Sequence, residues 1–136
     1  MKRILAPIFL LTLLFPSLAY GVTKDDLVIT NGLYYKKYTD VPFTGKITGK
    51  KQGSFRNGKK HGPWVIYWDN GQLYAKGTMK DGKDHGSFER YCKNGQFDSK
   101  GPYKDGNQHS PWVSYNKDGS VDEKGTGTFK DGVKVK

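Results

Sequence analysis

Cysteine is nearly missing from this sequence: Cys92 is the only one in 136 residues. That excludes a disulfide within the chain and a Cys-rich zinc site, and Cys92 reads as a small hydrophobe on a strand. Apolar residues are scarce at 35%, below the roughly 45% of ordinary globular chains, so no thick core is expected. Acids are short as well, 13 against 23 Lys and Arg, for a formal charge of +10. After residue 22 no stretch sustains the i, i+3, i+4, i+7 spacing of an amphipathic helix. What the chain does have is glycine, 18 residues, and aromatics, 14%. That aromatic content is too high for a disordered chain.

The one long apolar run is N-terminal. Met1-Lys2-Arg3 is a positive stretch, Ile4 to Leu14 is apolar except Pro7 and Thr12, and Pro16-Ser17-Leu18-Ala19-Tyr20-Gly21 supplies small residues. Charge, a short apolar stretch and small residues make a secretory signal rather than a membrane span of about 20 residues. Residues 1–21 are read as a signal peptide cleaved after Ala19 or Gly21. Its removal takes two cations and no acid, leaving 21 against 13, still strongly basic.

The rest repeats. His61-Gly62-Pro63-Trp64-Val65-Ile66-Tyr67 returns 24 residues on as His85-Gly86-Ser87-Phe88-Glu89-Arg90-Tyr91, and again as His109-Ser110-Pro111-Trp112-Val113-Ser114-Tyr115. Seven turn pairs punctuate the array: Asn57-Gly58, Asn70-Gly71, Asp81-Gly82, Asn94-Gly95, Asp105-Gly106, Asp118-Gly119 and Asp131-Gly132. Their glycines step by 13, 11, 13, 11, 13 and 13, the last step carrying a two-residue insertion near Thr126-Gly127. Such pairs between alternating polar and apolar residues are the strongest local hairpin signal. A fixed period of this length means a repeat architecture. The expected fold is all-β, a single-layer antiparallel meander of about eight strands. Residues 22–32 are expected to be a loose lead-in and 33–136 the repeat domain, with 33–52 a degenerate opening repeat that caps the array.

The unit resembles the MORN repeat family in its bacterial variant form, through the aromatic-Lys-Asp-Gly-Lys-x-His-Gly-x-Trp-x-x-Tyr-x-x-Asn-Gly pattern over about residues 33–133. Ser110, where the pattern has Gly, and Phe88, where it has Trp, depart from it. The resemblance implies hairpin repeats and a scaffold or interaction role, with phospholipid contact proposed for some members. Bacterial chains of this kind are often labelled antitoxins of a toxin–antitoxin system.

Strand alternation sorts the side chains. One face collects Phe55, Trp64, Ile66, Trp68, Leu73, Ala75, Met79, Phe88, Arg90, Cys92, Phe97, Gly101, Tyr103, Trp112, Val121 and Phe129. The other collects Arg56, His61, Tyr67, Lys76, Lys80, His85, Tyr91, Lys100, Lys104, His109, Tyr115, Lys124 and Lys130. A bulge would move residues between these sets.

Catalytic chemistry finds little support. Equivalent histidines stand two strands apart, about 9.6 Å, whereas two nitrogens on one zinc are at most about 4.2 Å apart. The positions His61, Gly62, Trp64, His85, Gly86, Phe88, His109 and Trp112 are therefore read as structural, with no metal and no cofactor. Most acids sit at turns, and no nucleophile–base pair or phosphate-cradling loop occurs. The candidate binding residues are Arg56, Lys76, Lys80, Lys100, Lys104, Lys124 and Lys130 with Tyr67, Tyr91 and Tyr115, a basic stripe suited to anionic partners. The expectation is an exported (periplasmic or secreted), non-catalytic interaction module or scaffold for a protein partner. The alternative is a binder of anionic membrane lipid or acidic envelope polysaccharide, and the second alternative an antitoxin-like partner of a toxin. Nucleic acid is not expected, and a homodimer stays open.

Overall fold

The computed structural model describes residues 21–136. The expected signal peptide, residues 1–21, lies outside the described residues except for Gly21. A 3-10 turn, Lys24–Asp26, opens the fold, with the Thr23 N–H donating to the Asp26 carboxylate at 2.7 Å. The strands follow as β1 (Leu27–Thr30), β2 (Leu33–Lys36), β3 (Gly45–Ile47), β4 (Lys51–Arg56), β5 (Lys59–Tyr67) and β6 (Leu73–Lys80). Then come β7 (Lys83–Tyr91), β8 (Phe97–Lys104), β9 (Asn107–Gln108), β10 (Ser110–Ser114), β11 (Gly127–Lys130) and β12 (Val133–Lys134). β1 and β2 pair as a separate hairpin. The others form one antiparallel sheet in sequence order, with β9 and β10 two halves of one strand position. The protein is an all-β meander.

The seven Asn/Asp-Gly pairs sit at the turns, but they make two kinds. At Asn57-Gly58, Asp81-Gly82, Asp105-Gly106 and Asp131-Gly132 both residues have positive φ, 48 to 51° for the first and 78 to 86° for the glycine. These are two-residue hairpin loops whose twist matches the strands. An eighth pair, Asn31-Gly32 (φ 50° and 78°), joins β1 to β2, so part of the expected lead-in is itself a hairpin. At the other three pairs only Gly71, Gly95 and Gly119 have positive φ. There the turn is longer: Gly71 N–H returns to the Trp68 carbonyl at 3.0 Å, and the Asn70 side chain accepts the Gln72 N–H at 2.9 Å.

The longer turns correct the face assignment. Ile66 pairs with Ala75 but Tyr67 pairs with Leu73, leaving Tyr74 as an extra residue. The same shift recurs where Arg90 pairs with Ser99 and Tyr91 with Phe97. A bulge of one residue inverts what lies beyond it. Leu73, Phe97 and Val121 therefore stand beside Tyr67, Tyr91 and Tyr115, not beside the tryptophans.

On the inner face each aromatic lies across a glycine of the preceding strand. Trp64 covers Gly53, Phe88 covers Gly77 and Trp112 covers Gly101. The Trp64 indole N–H reaches the Ser54 carbonyl at 3.1 Å, and that of Trp112 the Pro102 carbonyl at 2.7 Å. The best-buried cluster is at one end: Leu27, Ile47, Phe55 and Trp64, with Val22, Tyr34, Phe43 and Met79 against it. The β1–β2 hairpin thus adds a short second layer over the first repeats. Among the described residues, the inner face of β7, β8 and β10 has no such layer.

Successive hairpins are tied at the two-residue turns. Asp81 N–H donates to His61 Nδ1 at 3.5 Å and Gly82 N–H to the Lys60 carbonyl at 2.9 Å. Asp105 and Gly106 repeat this on His85 (3.3 Å) and Asp84 (2.8 Å). In the third unit Gly132 N–H reaches the Gln108 carbonyl at 2.9 Å, but His109 Nδ1 is buried without a partner.

Candidate interaction surfaces

Two surfaces emerge, one on each face of the sheet. On the outer face the residues flanking a two-residue turn stand opposite one another: Arg56 faces Lys59, Lys80 faces Lys83, Lys104 faces Asn107 and Lys130 faces Val133. Like charges directly opposite destabilise a sheet, and two of the four pairs are of this kind. Asp81, Asp105 and Asp131 at the turn tips offset part of the charge, and Arg56 pairs with Asp81 at 3.2 Å. Lys59, Lys80, Lys83, Lys104 and Lys130 make no ion pair among the described residues. Lys59 and Lys83 were absent from the sequence-based set, although they flank the same turns as Arg56 and Lys80.

The remaining candidates divide. Lys76 pairs with Glu89 at 3.2 Å, and the Tyr91 hydroxyl donates to the same carboxylate at 2.6 Å. That hydrogen bond, ahead of Lys76, holds Glu89 below the usual carboxylate range and pushes Tyr91 up to about 12. Lys100 lies over the Phe97 ring at 4.7 Å, and Phe97 stacks on Tyr91 at 4.7 Å. Lys76 and Lys100 are thus engaged in mid-sheet. Tyr67, Tyr91 and Tyr115 occupy the end away from Arg56, Lys80, Lys104 and Lys130, so they do not interleave that row. Lys124 leaves the column: the two-residue insertion puts it in the loop before β11, its N–H on Asp122 at 3.0 Å. Thr126 takes the strand position instead, hydrogen-bonding the Ser114 N–H at 2.9 Å.

The inner face carries charge that the sequence reading passed over. Lys60, Asp84 and Gln108 are equivalent positions on the same face as Phe55, Met79 and Tyr103. Lys60 and Asp84 both border a hollow of about 230 Å³ walled by Trp64, Ile66, Tyr74, Met79 and Phe88. Burial lowers the Lys60 pKa and raises that of Asp84, the mutual attraction of the two only partly offsetting it. Further along, Tyr103 packs edge to face on both Phe88 and Trp112, centroids 5.2 and 4.9 Å apart, and Phe88 lies tilted at 33° to Trp112 at 6.0 Å, beside an ion pair between Arg90 and Asp98.

The histidines lie along the turn end, each tied to its own neighbouring turn where it has a partner. No group of three His, Cys, Asp or Glu able to hold a metal occurs among the described residues. Cys92 is free and half-buried at the end of β7, its N–H on the Gln96 carbonyl at 2.8 Å. Compared with known proteins, the chain matches no family model, no curated protein and no solved structure.

Proposed function

We propose that the mature chain is an exported, non-catalytic repeat protein of the MORN variant type that serves as an interaction module, its basic turn end meeting an acidic partner protein. One observation carries this reading: Arg56, Lys59, Lys80, Lys83, Lys104 and Lys130 line up at one end of the outer face, with Arg56–Asp81 their one ion pair among the described residues. A sheet that needed lysine only for solubility gains nothing from setting like charges opposite each other. Equivalent pairs recur every second strand, about 9.6 Å apart, close to a Debye length at 0.1 M salt, so they act as one field. A partner with acidic residues at matching intervals would neutralise the row.

A second reading has the same row resting on anionic lipid or acidic glycan, favoured by the four two-residue turn tips of the main sheet lying together at one end. Each lysine near such a surface is worth about 1 kcal/mol. Crosslinking the mature protein in its native compartment, beside a Lys80→Glu, Lys83→Glu, Lys104→Glu variant, tests the first reading. Capture of an acidic protein by the parent and its loss in the variant is the expected result. Cosedimentation with anionic vesicles, reversed by salt, would instead favour the second. Equal capture by parent and variant would remove the basic row from function.

A further inference from the structure

The hollow between Trp64 and Phe88 on the inner face has a chemistry of its own. Its walls are apolar: Trp64, Ile66, Tyr74, Met79 and Phe88. Three charged residues line it: Lys60 from β5, Asp84 from β7, which pairs with Met79 of the strand between, and Lys76, whose ammonium is taken up by Glu89 at 3.2 Å. The first two do not close on each other: Lys60 and Asp84 stand beyond ion-pair distance, and among the described residues no other side chain donates to Asp84. Lys60 Nζ lies 4.9 Å above the Trp64 ring, which holds the ammonium over the mouth of the hollow. Both groups are half-buried, so each has given up part of its hydration without a direct partner. Removing water from an unpaired charge is costly, and a bound counter-charge recovers it.

We propose that this hollow is a binding site for a small zwitterion with an apolar body, an α-amino acid with an apolar or aromatic side chain. Its carboxylate meets Lys60, its ammonium meets Asp84, and its side chain lies against Trp64, Met79 and Phe88. The size argues for this class: at about 230 Å³ the hollow is smaller than the roughly 300–1,000 Å³ of sites for drug-sized ligands. The charges argue for it too. An amino acid carries both signs on one carbon and spans a gap that neither side chain crosses alone. The site is on the opposite face from the basic turn row, so it stands or falls independently of a protein partner there.

The test uses the full mature chain and three probes: L-phenylalanine, phenethylamine, which lacks the carboxylate, and 3-phenylpropionate, which lacks the ammonium. Binding is read by isothermal titration calorimetry and by tryptophan fluorescence, with a Trp68→Phe, Trp112→Phe chain as the control that isolates Trp64. Phenylalanine should bind saturably, and each one-charge analogue at least about tenfold more weakly, as expected for losing a charged hydrogen bond. Lys60→Met should erase the preference for phenylalanine over phenethylamine, and Asp84→Asn its preference over 3-phenylpropionate. Circular dichroism melts confirm that both variants fold. If phenylalanine does not bind saturably, or if all three probes bind equally to the parent, the proposal is overturned and Lys60 and Asp84 are only solvated neighbours of the sheet.

Discussion

Trp64, Phe88 and Trp112 show how a thin sheet obtains burial from single residues. Each ring needs the space that a side chain on the facing strand would fill. An added β-carbon at Gly53 would stand 2.3 Å from the Trp64 ring and one at Gly101 2.4 Å from Trp112, but one at Gly77 would stand 3.0 Å from Phe88. Overpacking of this kind costs roughly 1–3 kcal/mol or more. Gly53→Ala and Gly101→Ala should therefore destabilise by at least the upper part of that range and Gly77→Ala by the lower part, measured by denaturant unfolding. Equal losses at all three sites would show that the rings can slide away. Asp84 allows a second test at this scale. Burial raises its folded pKa above the unfolded value, so the folded chain holds the proton more tightly. Stability contributed by the group is then lost as pH rises through the window between the two values. Asp84→Asn lacks this loss. Its melting temperature relative to the parent should rise from acid to neutral pH, and a constant offset across that range would contradict the account.

Strands and turns are the scale at which the sequence was most readable, and also where it misled. The seven Asn/Asp-Gly pairs all fall at turns: in four both residues take the positive φ of a two-residue loop, and in three the glycine alone does. The same dipeptide also served two turn types, and treating them alike put Leu73, Phe97 and Val121 on the wrong face. The distinguishing signal lay two residues on, where Gln72, Gln96 and Ser120 give their N–H groups to Asn70, Asn94 and Asp118. Lys60 and Asp84 follow on the Trp64 face by simple alternation, yet neither was assigned to a face from the sequence. Lys59 and Lys83 followed from the rule that residues flanking a two-residue turn face each other. The interruption between β9 and β10 supplies a prediction for an element. Gly62 and Gly86 have φ of 84° and 94°, but their counterpart Ser110 is forced to 66°. A side chain in that region costs roughly 1–2 kcal/mol, part of which glycine returns as entropy in the unfolded chain. Ser110→Gly should thus stabilise by about 0.5–1 kcal/mol, seen as a raised unfolding midpoint with an unchanged denaturant slope. A destabilised variant would mean that the serine hydroxyl contributes more than its backbone costs.

Across the whole molecule, stability is uneven because the layers are. Leu27 of β1 and Ile47, Phe55 and Trp64 beneath it form the one continuous cluster of buried residues among the described residues. Towards β12 the strands shorten to two residues and Val133 and Val135 are largely exposed. In an array where each unit contacts only its neighbours, local opening follows the nearest interfaces. Amide hydrogen exchange should therefore be slowest in β4, β5 and β6 and fastest in β11 and β12, with β7 and β8 between. Uniform protection from β4 to β12 would show that the sheet opens only as one cooperative body.

The ties made at the two-residue turns have a direction. The acceptors, the Lys60 carbonyl and His61 Nδ1, precede their donors, Asp81 and Gly82, by about 20 positions, and the next pair repeats the order. At this end each hairpin thus offers acceptors already in place to the one made after it. A chain released from its N-terminal side, by the ribosome or through a narrow exit, can set each unit in place as it appears, so that little of its apolar face is left open while the remainder is still to come.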